Sequence, residues 1–194
     1  MIRIALLRHG PTSWNREGRI QGRTDIPLDA GGREMVRGWT IPEAWTDAHV
    51  VSSPLSRAIE TAHAVTGHTP QIAPSLIEMD WGDWEGLNGA DLRADPASSY
   101  RDIEDWGWDF APPGGESLHG MRGRLMDWVA QQRTDTLAVS HIGVMRLLMA
   151  IGTGWAFSGP PPFSIKRGRL YCLTWDGERL TASVDPIRVK ERPA

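Results

Sequence analysis

The sequence predicts an α/β fold whose central sheet is mostly parallel and is closed by an antiparallel edge. Three observations carry this. Ile2 to Leu7 and Thr136 to Ser140 are short, nearly continuous apolar runs, the pattern of strands buried on both faces. Helical patterns with one apolar face separate the strand candidates, so successive strands need crossovers and run parallel. Near the C-terminus, Leu170 to Trp175 and Arg179 to Val184 flank Asp176-Gly177, a hairpin turn signal that adds antiparallel strands.

The elements follow in order. The first strand ends at Arg8-His9-Gly10-Pro11, where Gly and Pro break the apolar pattern. Asp29 caps a helix that begins near Ala30 and fades near Trp39, ahead of Pro42. His49 to Ser52 reads as a short strand. Pro54 then stands close to the start of a helix with Leu55, Ala58, Ile59, Ala62 and Val65 on one face. Gln71 to Ala73 reads as a third short strand. Ser117, after Gly114-Gly115, opens a helix through Leu125, Trp128 and Val129, and Val144, Leu147, Leu148 and Ile151 mark another behind Ser140-His141. The stretch from Trp81 to Pro113 has weak periodicity and reads as an irregular excursion, lid-like over about 79–113. Pro160-Pro161-Pro162 reads as a rigid surface connection. With no internal repeat or linker, residues 1–194 form one domain.

Composition narrows the function classes. Hydrophobic residues at 40% and charged residues at 23% give a globular balance, not a disordered one. A net charge of −3 and no basic run with interleaved aromatics argue against a nucleic-acid or anionic-membrane partner. No apolar stretch reaches the ~18 residues of a bilayer span, and the N-terminal run is too short for a signal-peptide core, so the expected compartment is the cytoplasm. Cys172 stands alone and reads as a small apolar strand residue. No His or carboxylate pair has metal-site spacing, so neither a metal nor a cofactor is expected. Leu170 to Val184 offers an edge on which a homodimer could form.

The chemistry gathers at strand ends. The first strand ends in Arg8-His9-Gly10, the second in Ser52-Ser53-Pro54 with Arg57 one helical turn on, and the strand at 136–140 in Ser140-His141. Ligands of open α/β sheets bind outside the carboxyl ends of strands, so these residues converge on one crevice. Helix N-termini there favour an anion. A neutral imidazole is nucleophilic and can form a covalent bond to phosphorus. Arginine grips two phosphoryl oxygens at once. A leaving alkoxide needs a proton, and Glu78, with its pKa raised by burial or neighbouring acids, is the acid at hand. Taken singly, each of these residues reads as an ordinary turn, surface or core residue; their concentration at strand ends sets them apart. His49, His63, His68 and His119 lack such support and read as structural or surface residues.

With these motifs the sequence resembles the histidine phosphatase superfamily, in its phosphoglycerate mutase-like branch. The resemblance runs through most of the chain. It covers Leu7-Arg8-His9-Gly10 with Thr12, Trp14-Asn15, Gly18-Arg19, Gln21-Gly22, Asp25 and Pro27-Leu28, then Ser52-Ser53-Pro54-Leu55-Ser56-Arg57-Ala58 with Glu60-Thr61-Ala62. Leu76-Ile77-Glu78 with Gly82-Asp83-Trp84-Glu85-Gly86, Pro113-Gly114-Gly115-Glu116-Ser117, and Val139-Ser140-His141 with Gly143 and Arg146 complete it. The resemblance implies a three-layer α/β/α sandwich and a small-molecule phosphomonoester as substrate. It implies His9 as the phosphorylated nucleophile, Arg8, Arg57 and His141 as phosphoryl ligands, Glu78 as acid and then base, and Asn15, Gln21 and Gly22 as pocket lining.

Within that family a metal-independent phosphatase is expected ahead of a mutase. A mutase must hold a second anionic group, yet Met79 to Pro113 carries only Arg93 and Arg101 against Asp80, Asp83, Glu85, Asp91, Asp95, Asp102, Glu104, Asp105 and Asp109. Such a lid would repel the second anion if it faced the pocket. His141-Ile142-Gly143 also departs from the mutases' His-Gly-Asn. A non-catalytic phosphate-binding role would require lost catalytic residues, and all are present. The tryptophans of the excursion, Trp81, Trp84, Trp106 and Trp108, are expected to pack it onto the sheet. The sharper alternative has one or two stack on an aromatic or cationic leaving group, for which a phosphate such as the α-ribazole phosphate of relatives in cobalamin assembly would suit.

Overall fold

A computed structural model describes residues 1–191. Strand β1 (Ile2–Arg8) leads to a four-residue helix α1 (Ser13–Arg16), helix α2 (Ala30–Arg37) and strand β2 (Trp39–Thr40). Strand β3 (His49–Ser52), helix α3 (Ser56–Thr66), strand β4 (Gln71–Ile72) and helix α4 (Gly89–Ala94) follow. Helix α5 (Leu118–Ala130), strand β5 (Thr136–Ser140) and helix α6 (Ile142–Thr153) precede β6 (Arg169–Trp175), β7 (Leu180–Ala182), β8 (Ile187–Arg188) and β9 (Lys190–Glu191).

The main sheet runs β4-β3-β5-β1-β6-β7, with β8 beside β6. The first four strands are mutually parallel, and β6 lies antiparallel to β1. That is the parallel sheet with an antiparallel edge that the residue pattern predicts. Alternation along β1 explains its continuous apolar run: Ile4 and Leu6 join one core, Ala5 and Leu7 the other. The first core takes Leu118, Met121 and Leu125 of α5 and Val144, Leu147 and Leu148 of α6; the second takes Val36 of α2 and Ala58, Ala62 and Val65 of α3. Helices on both faces make the three layers.

Local chemistry sets the boundaries. Asp29 accepts a hydrogen bond from Gly32 N (2.7 Å) and Ser117 from Gly120 N (3.1 Å), opening α2 and α5 as the sequence predicts. Gly67 ends α3 at φ 75°, a left-handed conformation that favours glycine. The Asp176-Gly177 turn forms as expected, with Asp176 Oδ1 accepting from Glu178 N and Arg179 N at 2.9 and 2.8 Å. Helix α2 stops two residues short of Trp39, which instead starts β2 and pairs with Glu191 of β9. That pairing spans the chain and leaves no local signal.

The excursion is irregular, as expected, and holds α4 and short 3-10 turns at Gly82–Trp84 and Ile103–Asp105. Three of its four tryptophans pack as expected. Trp81, Trp84 and Trp106 are buried in the first core. Trp106 stacks on Phe110 with ring centroids 4.2 Å apart, and Trp108 meets Phe157 edge-on at 5.2 Å. Burial leaves Trp81, Trp84 and Trp106 little exposed ring for a leaving group, while Trp108 is half-buried. The acids of the excursion behave differently from the lid reasoning. Asp83, Asp91, Asp95, Asp102, Asp105 and Asp109 are exposed, and Asp102 pairs with Arg93. Those six charges face water and are screened, while Asp80, Glu85 and Glu104 are half-buried, Glu85 bearing on Arg57 and Glu104 on Arg146. No helix among the described residues is long and apolar enough to cross a membrane.

Candidate active site

Register brings three strand ends to one level. Arg8 faces Ser140, and Ser52 faces Val139. One further ladder bond extends each neighbour: His9 N donates to Ser140 O and Ser53 N to Val139 O, both at 3.0 Å. His9, Ser53 and His141 therefore emerge side by side. The rings of His9 and His141 lie 5.1 Å apart and tilted by 57°.

A hydrogen bond fixes the tautomer of His9. His9 Nδ1 lies 2.6 Å from the Gly10 carbonyl, which can only accept, so Nδ1 carries the proton and the Nε2 lone pair is free. Burial, then the charges of Arg57 and Arg8, hold His9 well below the ordinary imidazole value, leaving it neutral. His141 Nε2 lies 2.6 Å from Ser53 Oγ, which already accepts from Leu55 N. Because Ser53 Oγ already accepts from Leu55 N, its own proton is available to His141 Nε2, an arrangement that would leave Nδ1–H as a donor toward the crevice. Burial, followed by His9, Arg57 and Arg8, likewise keeps His141 neutral.

Arg57 is fully buried and held by two main-chain acceptors, Gly22 O (2.6 Å) and Thr24 O (3.0 Å). Burial and the nearby charges of Arg167 and Arg146 lower Arg8 to about 9, which still leaves it charged near neutrality. Among the described residues, four buried side-chain nitrogens have no hydrogen-bond partner in the protein: Arg8 Nε, Gln21 Nε2, Arg57 Nε and His141 Nδ1. All four belong to residues that the sequence assigns to the site. Buried donors are costly to leave unsatisfied, and an anion among them satisfies several at once.

Glu78 is the acid of this group, buried at 2% exposure. Its carboxylate accepts from Met79 N (2.8 Å), Gly143 N (3.0 Å) and Val144 N (3.2 Å), the last two in the first turn of α6. Burial raises its pKa against the lowering effect of these donors and of Arg57. Its main chain is also held: Glu78 O accepts from Arg124 Nη2 (3.4 Å), while Glu116 grips Arg124 through two 2.7 Å bonds. The Gly114-Gly115-Glu116 motif thus acts on the site through Arg124.

Asn15 and Gln21 come together, Asn15 Nδ2 donating to Gln21 Oε1 at 3.3 Å. Gly22 contributes its carbonyl to Arg57 and tolerates no side chain, because a Cβ there would lie 1.9 Å from Glu85 Oε1. Sequence reasoning missed Arg167, which donates to His9 O (3.0 Å) and Asn15 Oδ1 (2.7 Å). Arg146, part of the last motif, also joins the group, its charge helping to depress Arg8. His49, His63, His68 and His119 are exposed and away from the group, as expected. No three His, Cys, Asp or Glu side chains among the described residues are grouped as a metal ion would need.

The fold and the site together define an α/β protein with arginines and two neutral histidines gathered at the carboxyl ends of its parallel strands. The chain belongs to the histidine phosphatase superfamily, branch 1, whose family model matches residues 4–184. It is 34% identical over 159 residues to the adenosylcobalamin/alpha-ribazole phosphatase of Escherichia coli (strain K12), covering 77% of this chain and 78% of that protein. It is 32% identical over 167 residues to the glucosyl-3-phosphoglycerate phosphatase of Mycolicibacterium vanbaalenii, covering 76% and 72% respectively. The crystal structure of TTHB049 from Thermus thermophilus superposes with a TM-score of 0.74 at 30% identity, covering 97% of this chain and 99% of that one. The expected α/β/α architecture and the phosphatase class both agree with these relatives.

Proposed function

We propose that this chain hydrolyses small-molecule phosphomonoesters, without a metal ion, through a phosphohistidine on His9. The observation that carries the proposal is the ring of unpartnered buried donors, Arg8 Nε, Arg57 Nε, Gln21 Nε2 and His141 Nδ1, contributed by residues around a histidine whose Nε2 is free. His9 Nε2 attacks phosphorus as the bond to the ester oxygen breaks, and protonated Glu78 gives its proton to that oxygen. Water then attacks the phosphohistidine, its proton passes to the Glu78 carboxylate, and the P–N bond breaks to release phosphate and neutral His9. The loose transition state needs positioning and compensating charge, and the arginines supply what a metal provides elsewhere. One domain carries the reaction, with 79–113 packed on it as a cover. The Ile142-Gly143 sequence and the relatives named above favour hydrolysis over mutase action.

A phosphomonoester panel that includes α-ribazole phosphate and glucosyl-3-phosphoglycerate, assayed in excess chelator, tests this reading. Wild type should turn over at least one ester and yield a base-stable, acid-labile phosphoenzyme, and His9→Ala should do neither. Turnover that survives the substitution, or that the chelator abolishes, overturns it.

A further inference from the structure

Arg167 has the placement of a site residue and no ordinary explanation. It is half-buried and has no carboxylate within ion-pair distance among the described residues. Its two directed donors go to the main-chain oxygen of His9 (Nε, 3.0 Å) and the side-chain oxygen of Asn15 (Nη2, 2.7 Å). The ends of its bonds thus lie on the nucleophile and on the pocket.

The amides beyond it form a polarised chain. Asn15 Oδ1 accepts from both Arg167 Nη2 and Thr12 N (3.2 Å), so its amide cannot turn without setting donors against donors. That leaves Asn15 Nδ2 toward Gln21 Oε1 (3.3 Å), which also accepts from Thr12 Oγ1 (3.1 Å). Gln21 Oε1 is therefore fully engaged, and Gln21 Nε2 is left buried as an unpartnered donor. Each orientation follows from the one before it, and the first is set jointly by Thr12 N and by the shorter, charged bond from Arg167.

We propose that Arg167 is a positioning residue for phosphoryl transfer: its planar fork orients the Asn15 and Gln21 amides so that Gln21 Nε2 donates to the transferring group, while its other arm steadies His9. The inference rests on the phosphohistidine reading of the site. Lysine could keep the charge but not the fork, since a single ammonium does not reproduce two parallel, fixed N–H directions. The charge has a secondary use, as it adds to the field of Arg8 and Arg57 that keeps His9 neutral.

The test compares Arg167→Met, Arg167→Lys, Gln21→Ala and the double variant Arg167→Met/Gln21→Ala with wild type on one phosphomonoester, with phosphoenzyme trapping throughout. Loss of a preorganised donor to a developing charge costs about 10²-fold in kcat, so Gln21→Ala and Arg167→Met should each fall by about that factor, mainly in kcat rather than KM. Arg167→Lys should fall nearly as far, and the double variant little further than either single one. Recovery of wild-type kcat in Arg167→Lys, or losses that multiply in the double variant, overturns the relay. Should Arg167→Met fail to fold, Asn15→Ala with and without Gln21→Ala reads the same coupling at the next link, and multiplying losses there overturn it equally. Absence of a phosphoenzyme in wild type would refute the site reading itself; its presence, with Arg167→Met at wild-type kcat, would refute only the role of Arg167.

Discussion

Gly143→Ala should separate proton donation from phosphoryl transfer. A Cβ on Gly143 would lie 2.4 Å from Glu78 Oε1, 3.1 Å from its Cδ and 3.3 Å from Oε2, where ordinary contact begins near 3.4 Å. The carboxyl must move by about 1 Å or α6 must retreat by as much, and a misplacement of that size costs on the order of 10²-fold. Either movement also weakens the bonds from Gly143 N and Val144 N. Overpacking adds about 1–3 kcal/mol of destabilisation, which lowers Tm by about 2–4 °C per kcal/mol in a chain of this size. The informative assay is kcat/KM, which reports steps up to transfer onto His9, measured in parallel on an alkyl phosphate and a nitrophenyl phosphate. An alkoxide cannot leave without a proton, whereas a nitrophenolate can. The alkyl ester should lose about 10²-fold and the nitrophenyl ester little. Equal losses on both esters would mean that Glu78 is not the acid, and undiminished alkyl turnover would mean that the close approach does not position it.

Three further outcomes follow from the same geometry. Gly22→Ala should cost most of the phosphatase activity, because its Cβ would strike Glu85 Oε1 at 1.9 Å and Met79 O at 2.9 Å and push away the carbonyl that holds Arg57; retention of wild-type kcat/KM would contradict this. The folded pKa of His9 and of His141 lies well below 6.5, so the unfolded chain binds more protons at lower pH and stability is lost as pH falls through 6.5. Each histidine contributes a slope of about 1.4 kcal/mol per pH unit until its folded pKa is reached, and thermal melts should show His141→Gln reducing that slope, not steepening it. Orthophosphate or vanadate should raise the Tm of wild type by binding the folded state alone, and Arg57→Met should remove most of the rise; an equal rise in both would place the anion elsewhere.

The sequence made legible whatever depends on local pattern. β1 and β5 could be read because burial on both faces makes a continuous apolar run, and His9 and His141 because each follows such a run at once. Arg57 was legible from its position one turn past Ser53-Pro54. β2 and β9 were not, since two residues pair across the length of the chain. Arg167 lies outside every motif and acquires meaning only where folding sets it against His9 O and Asn15 Oδ1. The tryptophan question could be posed from sequence, and packing answers it for Trp81, Trp84 and Trp106, since ring count does not say which rings are covered.

Charge illustrates the same limit and bears on the proposed mechanism. A net charge of −3 and an acidic excursion suggest a surface hostile to anions. Folding sorts the signs: the excursion's acids turn largely to water, while Arg8, Arg57, Arg146 and Arg167 are drawn inward, each with its pKa lowered chiefly by burial. The charges of Arg167 and Arg146 also bear on Arg8. Cations gathered in low dielectric repel one another, and a phosphoryl dianion relieves that repulsion more than any neutral ligand. Burial, and then the same field, disfavour a proton on His9, so the arginines that would draw an anion also help keep that imidazole neutral. On the proposed mechanism, anion capture and histidine activation are two consequences of one arrangement, and substituting an arginine of the cluster should weaken both together.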